Sequence, residues 1–208
     1  MSEDSFQIES VIKHFEECLH EENDIDLMTY VRAYEELSRL FNILGIIFSF
    51  VESDVKEKRE ILKQLYQQDS QSYKSVNSMV EYEIVPGQKP KQIGCRTLLR
   101  LHRALEFLIL FVEDVHRSKP EDNISELFRD AYEKSLSQHH GWLIRKTVQL
   151  ASHAVPSRDF LIKVIFAHGE EPTPEQLESV ACKFVKVVQD VYDRVQLIYA
   201  DNKLLNLP

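Results

Sequence analysis

The sequence predicts one all-α, layered domain that spans residues 1–208. Apolar residues recur every three to four positions through most of the chain, and no convincing stretch alternates as a half-buried strand would. Only five glycines and seven prolines occur in 208 residues, which favours long helices over turn-rich β structure. With 43% hydrophobic residues, a chain of this length can bury a sizeable core.

In the first half, four helices are expected. Asp24 and Asp26 are cap-type residues in front of the second helix. Its end, FNILGIIFSFV over residues 41–51, is apolar around the whole circumference and must be covered on every side, which indicates layers of helices. The predicted bounds are about residues 6–18, 27–51, 54–65 and 73–82.

The second half begins after the loop VPGQKPKQIG. A helix beginning at Pro120 is expected, and Thr173-Pro174-Glu175-Gln176 combines a capping threonine, a proline at the first helical position and a glutamine that reaches back. The predicted helices are about residues 95–115, from 120, 140–153, 158–166 and 174–199.

Bulk properties exclude several classes of function. A net charge of −9 argues against general nucleic-acid binding. The acidic N-terminus is unlike a signal peptide, and the longest uncharged apolar run is too short to span a bilayer, so we expect a cytoplasmic protein. Cys18, Cys95 and Cys182 are expected to be buried free thiols. No catalytic, cofactor or zinc-ligand pattern stands out, so we expect a non-enzyme without cofactor or metal.

A row of arginines reverses the acidic charge locally. Between Lys89 and Arg103 the chain carries five basic residues, His102 and no acidic residue. Helical phase places Arg96, Arg100 and Arg103 on one face, opposite an apolar core face, while His102 points sideways, toward solvent. Two interpretations stay open for the row itself: a solvated helix face, or a site for an anion.

The arginine face becomes apolar further along the helix. Its continuation reaches Phe107, Leu110 and Phe111, which a purely solvated face would not do. An amphiphilic ligand with an anionic head and a hydrocarbon tail would match both halves. Packing of two helix layers with the arginines at their edge is the alternative.

Two further motifs flank this helix. Asp54 and Lys58 lie four residues apart, a spacing that is common on exposed helices, but they directly follow the apolar run. His139, His140 and Trp142 form the second motif; adjacent histidines are poor joint metal ligands. We expect Trp142 in the core, and His140 either as a cap or as a hydrogen-bond partner for a ligand.

The chain contains, in this order, the segments LGIIFSFVESDVKEK, GCRTLLRLHRALEFLILF, HHGWLIRK and the C-terminal LLNLP. Taken jointly, these segments resemble the glycolipid transfer protein family over nearly the whole chain. The resemblance implies a two-layer helical sandwich that encloses one lipid. It matches Asp54 to the aspartate that binds the sphingoid amide and hydroxyl, and His140 to the histidine on the acyl-amide carbonyl. Lys58 stands where glycolipid-binding members have asparagine.

The resemblance is strongest to the ceramide-1-phosphate branch of that family. It implies that Lys58, Arg96, Arg100 and Arg103 bind the phosphate and that the activity is exchange of this lipid between membranes. The expected hydrocarbon pocket is lined by Leu40, Phe41, Ile47, Phe48, Phe50, Phe107 and Phe111.

The expected partners are the lipid and membrane surfaces. We expect a monomer that docks transiently on Golgi, endosomal or plasma membranes and does not bind nucleic acid. Lys89 and Lys91 either favour anionic phospholipids or belong to a solvated loop. The alternatives are a glycolipid-carrying member of the same family, a helical adaptor for acidic or phosphorylated peptides and, more distantly, a hydrolase.

Overall fold

A computed structural model describes residues 6–19, 22–45, 48–85, 92–166 and 172–208. Within these ranges the regular structure is helical, with no strand, and the helices pack as a two-layer sandwich around one hydrophobic core. The all-α prediction is therefore confirmed. The helices are α1 (Ile8–Cys18), α2 (Leu27–Ile43), α3 (Ser49–Gln68), α4 (Val76–Glu83), α5 (Ile93–Arg117), α6 (Ile124–Lys134), α7 (Trp142–Ser152), α8 (Arg158–Phe166) and α9 (Pro174–Asp201).

The predicted continuous helix over residues 27–51 is wrong. Helix α2 ends at Ile43, Gly45 adopts a left-handed φ of 96°, and α3 begins at Ser49. Glycine reaches this φ without the steric cost that a Cβ imposes, so the chain turns here. The apolar run is thereby divided between two helices, and the helix expected over residues 54–65 is the middle of α3.

Side-chain caps fix several helix starts. Asp26 accepts from the Thr29 N–H at 2.7 Å, and Thr173 forms the predicted capping box with Gln176. Asn123 caps α6, which therefore begins at Ile124, and Pro120 lies in the preceding turn. The expectation that Pro120 starts this helix is wrong, because the side chain of Asn123, three residues after Pro120, accepts from the Ser125 N–H at 3.1 Å and caps the helix there.

Helix α5 is the central element of the site. It packs against α3, α6 and α9. Tyr34 on α2 donates to the carbonyl oxygen of Leu101 at 2.5 Å, and Tyr199 on α9 donates to that of Cys95 at 2.9 Å. These buried bonds fix α5 against α2 and α9.

His102 lies on the buried side of α5 and not toward solvent as expected. Its ring stacks on Tyr192 at a centroid distance of 4.4 Å, and Nε2 lies 2.8 Å from Oε1 of Gln196. Only 1% of the residue is exposed. Burial lowers its pKa to about 4, so the ring is neutral near pH 7. Helical phase could not reveal that α9 covers this side of α5.

The three cysteines are free. Cys18 and Cys95 are buried as expected, whereas Cys182 is exposed on α9, so the expectation of burial is wrong there. None of the described helices is long and apolar enough to cross a membrane.

Candidate functional site

A cavity of about 620 Å³ opens between α2, α3, α5, α6 and α7. Its volume is within the range of about 300–1,000 Å³ that is typical of small-molecule sites. The residues that line it are Tyr34, Phe41, Phe48, Phe50, Val51, Asp54, Val55, Lys58, Arg100, Arg103, Ala104, Phe107, Leu108, Phe128, Tyr132, Leu136, His139, His140, Ile144, Val148, Ala151 and Pro208.

Three basic side chains, which we call the cationic cluster, line the cavity: Lys58, Arg100 and Arg103. Lys58 on α3 is 8% exposed, and its Nζ pairs with the Asp54 carboxylate, one helical turn earlier. Nζ also lies 3.4 Å from the Asp54 carbonyl oxygen. The buried ammonium thus has acceptors, as a buried charge requires.

The two arginines of the cationic cluster differ from Lys58 in their partners. No carboxylate among the described residues lies within ion-pair distance of Arg100 or Arg103. Arg103 donates from its guanidinium to the carbonyl oxygen of Leu205 at 2.8 Å. Burial, and next the positive charge of Arg100, lower the pKa of Arg103. Two neighbouring cations at the wall of a cavity favour an anion there.

Four phenylalanines form an aromatic cluster: Phe48, Phe107, Phe111 and Phe128. Phe128 meets the other three edge-on, with ring centroids 5.2–6.1 Å apart, and Phe107 stacks on Phe111 at 5.6 Å. Phe107 follows Arg103 by four residues, or about 6 Å along the axis of α5. The cavity wall therefore changes from cationic to apolar along one helix.

His140 is held by contacts of its backbone and its ring. Its N–H donates to the Ser137 carbonyl oxygen at 3.2 Å, and Nδ1 lies 2.9 Å from the hydroxyl of Tyr132. Burial lowers the pKa of His140; Lys58 and Arg103 act in the same direction, and Asp54 opposes them. Burial and Arg103 also lower the pKa of His139. Both rings are therefore neutral near pH 7.

Five of the six headgroup residues expected from the sequence line this cavity: Asp54, Lys58, Arg100, Arg103 and His140. Arg96 does not line it; it is exposed on α5, one turn before Arg100. The structure thus separates the predicted arginine row into a pair at the cavity and one arginine outside it.

The expected hydrocarbon pocket is only partly the observed cavity. Phe41, Phe48, Phe50 and Phe107 line it. Leu40 and Phe111 are buried in the core and are not lining residues, although Phe111 supports the wall through its stack on Phe107. Ile47 lies outside the described residues, as do Lys89 and Lys91 of the basic loop.

The prediction that Trp142 lies in the core is wrong. Helix α7 buries Val148, Ala151 and Ser152, and Trp142 lies about 120° around the helix from Val148. Its indole is therefore exposed, to 66%. Trp142, Leu143 and Ile144 form an exposed apolar patch, and Ile144 also lines the cavity.

Several lining residues were missed from the sequence. Phe128 and Tyr132 lie four residues apart on the buried face of α6, a spacing that could have indicated a shared surface. His139 lines the cavity together with His140. Pro208 has no such local signal, because its place depends on how the segment after α9 returns to α5.

Comparison with known proteins identifies close relatives. The sequence pattern of the family described as "Glycolipid transfer protein (GLTP)" matches residues 25–167. The ceramide-1-phosphate transfer protein of Danio rerio is 36% identical over 214 residues, which cover 99% of each chain.

Two solved structures agree over almost the whole chain. The mouse ceramide-1-phosphate transfer protein in its apo-form superimposes with a TM-score of 0.88. The human ceramide-1-phosphate transfer protein in complex with 12:0 ceramide-1-phosphate gives a TM-score of 0.87. Each is 33% identical to this chain, and each match covers 98% of this chain and 100% of the other.

Proposed function

Because the chain belongs to the glycolipid transfer protein family, we propose that it acts as a single domain that carries ceramide-1-phosphate between membranes. The observation that carries this proposal is the cationic cluster at the wall of a largely apolar cavity. Relatives that share 33–36% of its residues are themselves ceramide-1-phosphate transfer proteins.

The phosphate binds at the cationic cluster. A phosphate monoester carries about −1.5 to −2 charges near neutral pH. Arg100 and Arg103 provide planar groups that can donate two bonds at once, and Lys58 adds a point charge. Each charge-assisted hydrogen bond contributes about 1.5–3 kcal/mol. In this arrangement Arg96 has a smaller role, because it lies outside the cavity.

Asp54 and His140 bind the sphingoid amide region. The Asp54 carboxylate would repel the phosphate at close range, so it accepts from the amide N–H and the hydroxyl group instead. It is paired with Lys58 and can share that lysine with the phosphate. His140, which is neutral, is able to donate to the acyl carbonyl oxygen.

The hydrocarbon chains occupy the apolar part of the cavity, beside the aromatic cluster. Each buried CH₂ contributes about 0.8 kcal/mol, so the transfer of a hydrocarbon chain from a bilayer into water costs many kcal/mol. An apolar protein cavity offsets this cost. The activity is equilibrium exchange, and no bond of the lipid is made or broken.

The protein docks on membranes through the exposed apolar patch on α7. Ile144 belongs both to this patch and to the cavity lining, and Phe50 is a second lining residue that is partly exposed. Arg145 and Lys146 follow the patch directly and suit an anionic lipid surface. We further propose, as expected from the sequence, that the protein acts as a monomer at the cytosolic face of Golgi, endosomal or plasma membranes.

The test is a transfer assay between vesicles, with ceramide-1-phosphate and galactosylceramide as alternative cargo, together with mass spectrometry of lipids extracted from the purified protein. We expect transfer of ceramide-1-phosphate and little transfer of the neutral lipid. Equal rates for both lipids would assign the protein to the glycolipid carriers. Protein that never contains lipid and retains phosphopeptides would indicate an adaptor.

A further inference from the structure

We propose that Tyr132 is a positioning residue that sets the tautomer of His140 and thereby makes its imidazole a hydrogen-bond donor toward the lipid amide. The inference rests on the proposed function for the identity of the acceptor. The tautomer itself follows from contacts within the protein.

The geometry places a phenol against one nitrogen of the imidazole. The Tyr132 hydroxyl lies 2.9 Å from Nδ1 of His140, and the two ring centroids are 5.7 Å apart. Tyr132 is 4% exposed, on the buried face of α6. Both residues line the cavity. Since Nδ1 is engaged by Tyr132, Nε2 is the nitrogen that remains for a ligand.

The backbone between these residues is tied to the end of α6. The Ser135 hydroxyl donates to the Ala131 carbonyl oxygen at 2.6 Å, and the Ser137 hydroxyl donates to that of Glu133 at 3.0 Å. A 3₁₀ turn over Ser137–His139 follows, and the His140 N–H closes onto Ser137. The segment therefore holds the backbone of His140 at a fixed place relative to α6, and the contact of Nδ1 with the Tyr132 hydroxyl orients the imidazole.

The direction of the hydrogen bond follows from the chemistry of its two partners. A phenol, with an ordinary pKa near 10, is a good donor, and an imidazole nitrogen, with an ordinary pKa near 6.5, is the more basic acceptor. His140 is neutral, because burial and the charges of Lys58 and Arg103 lower its pKa against the effect of Asp54. Tyr132 therefore donates to Nδ1, and the single imidazole proton is on Nε2.

This tautomer matters for recognition of an amide. The Nε2–H group donates to a carbonyl oxygen, whereas the other tautomer presents a lone pair that repels it. Tyr132 thus favours lipids whose backbone carries an amide carbonyl within reach of His140. It needs no contact with the lipid to do so.

The first test is ¹⁵N NMR of the lipid-free protein, with the His140 signals assigned by their loss in His140→Gln. We expect Nδ1 of the wild-type protein to resonate as an unprotonated nitrogen and Nε2 as a protonated one. In Tyr132→Phe both signals should move toward a mixture of tautomers. A wild-type His140 protonated at Nδ1, or an unchanged Tyr132→Phe spectrum, would overturn the proposal.

The second test is a double-mutant cycle of ceramide-1-phosphate transfer. One hydrogen bond contributes about 1 kcal/mol, so Tyr132→Phe should lower the rate about fivefold in the wild-type background. In the His140→Gln background the same change should have no further effect. A fivefold loss in both backgrounds would show that Tyr132 acts without His140.

Control measurements distinguish the effect of Tyr132 on His140 from a loss of folding and from a wrong choice of lipid. Tyr82→Phe removes an exposed hydroxyl outside the cavity lining and should leave both the rate and the His140 spectrum unchanged. Thermal unfolding of Tyr132→Phe should remain close to wild type; a collapse of stability with an unchanged tautomer would overturn the proposal. If the wild-type protein transfers no ceramide-1-phosphate, the proposed function fails, while the lipid-free spectrum still decides the tautomer.

Discussion

The carboxylate of Glu83 accepts the N–H of Gly94 at 2.8 Å and so caps helix α5 from a residue that lies eleven positions earlier in the chain. Its second oxygen accepts the Cys95 N–H at 2.9 Å, and the Tyr73 hydroxyl donates at 2.9 Å to the same oxygen that accepts from Gly94. Glu83 is buried, and the negative charge lies at the positive end of the α5 dipole. This relationship holds in place the helix that carries Arg100 and Arg103.

Glu83→Gln should destabilise the protein by about 1–3 kcal/mol. The amide retains one acceptor oxygen, but its NH₂ group then faces an N–H donor, and a buried donor without a partner has a cost of this size. Urea unfolding followed by far-UV CD measures the loss. An equal stability of wild type and variant would show that the cap contributes nothing.

Gly94→Ala tests how closely the start of α5 approaches α4. A Cβ at this position would lie 2.6 Å from Sδ of Met79 and 2.9 Å from Oε1 of Glu83, so we expect a loss of about 1–3 kcal/mol. Gly141→Ala is the control, because a Cβ at this position would meet no atom within 4 Å. Gly141 is the N-cap residue of α7, and the weaker capping preference of alanine should lower the stability by less than about 1 kcal/mol. The prediction fails if both variants unfold at the same urea concentration.

Arg100→Leu and Lys58→Ala should each lower ceramide-1-phosphate transfer by about tenfold to a hundredfold, the value of one charge-assisted bond. Their far-UV CD spectra should stay near wild type. Arg96→Leu should have a smaller effect, since Arg96 lies outside the cavity. Arg117→Leu is the control on the same helix, where an exposed arginine pairs with Glu113. Full transfer by both cavity variants would contradict the headgroup site.

Helical phase and capping chemistry are local, and the sequence predicted them well. The start of α9 at Thr173-Pro174 and the bounds of α8 were predicted correctly. The shared face of Arg100, Arg103 and Phe107 was predicted as well, because their spacing alone determines it. In the same way, Asp54 and Lys58 were placed one turn apart.

Features that depend on tertiary contacts were not predicted. Gly45 divides α2 from α3, but a glycine in an apolar run does not by itself reveal a left-handed φ. His102 is buried because α9 covers it, and Trp142 is exposed because α7 turns its other side to the core. Pro208 lines the cavity and the Leu205 carbonyl oxygen accepts from Arg103, although both lie at the far end of the chain, which no spacing rule indicates.

His102 should make the stability of the protein depend on pH between about 6.5 and 4. Its folded pKa of about 4 is below the ordinary value of 6.5, so in this window the unfolded chain binds more protons. Stability is therefore fully present above about pH 6.5 and is lost as the pH falls toward 4, by on the order of 3 kcal/mol.

Urea unfolding at a series of pH values measures this dependence. His102→Gln should show a shallower loss of stability than wild type between pH 6.5 and 4, because it lacks the titrating ring. Above pH 7 the free energies of unfolding of the two proteins should differ by a constant amount, which reflects the lost stacking on Tyr192. An equal loss of unfolding free energy between pH 6.5 and 4 in both proteins would show that His102 is not the group responsible.

Trp142→Ala should weaken adsorption to anionic vesicles by roughly thirtyfold and slow lipid transfer in parallel. An aromatic side chain buries about 200 Å² when fully covered, and covering about two fifths of that area at about 25 cal/mol per Å² contributes about 2 kcal/mol. Co-sedimentation with vesicles measures adsorption. Leu197→Ala removes an exposed apolar side chain of α9 that does not line the cavity, and it should leave adsorption unchanged. If Trp142→Ala and Leu197→Ala adsorb to vesicles equally, the protein does not dock through the α7 patch. Loss of apolar area on α7 would then matter no more than loss of apolar area on α9.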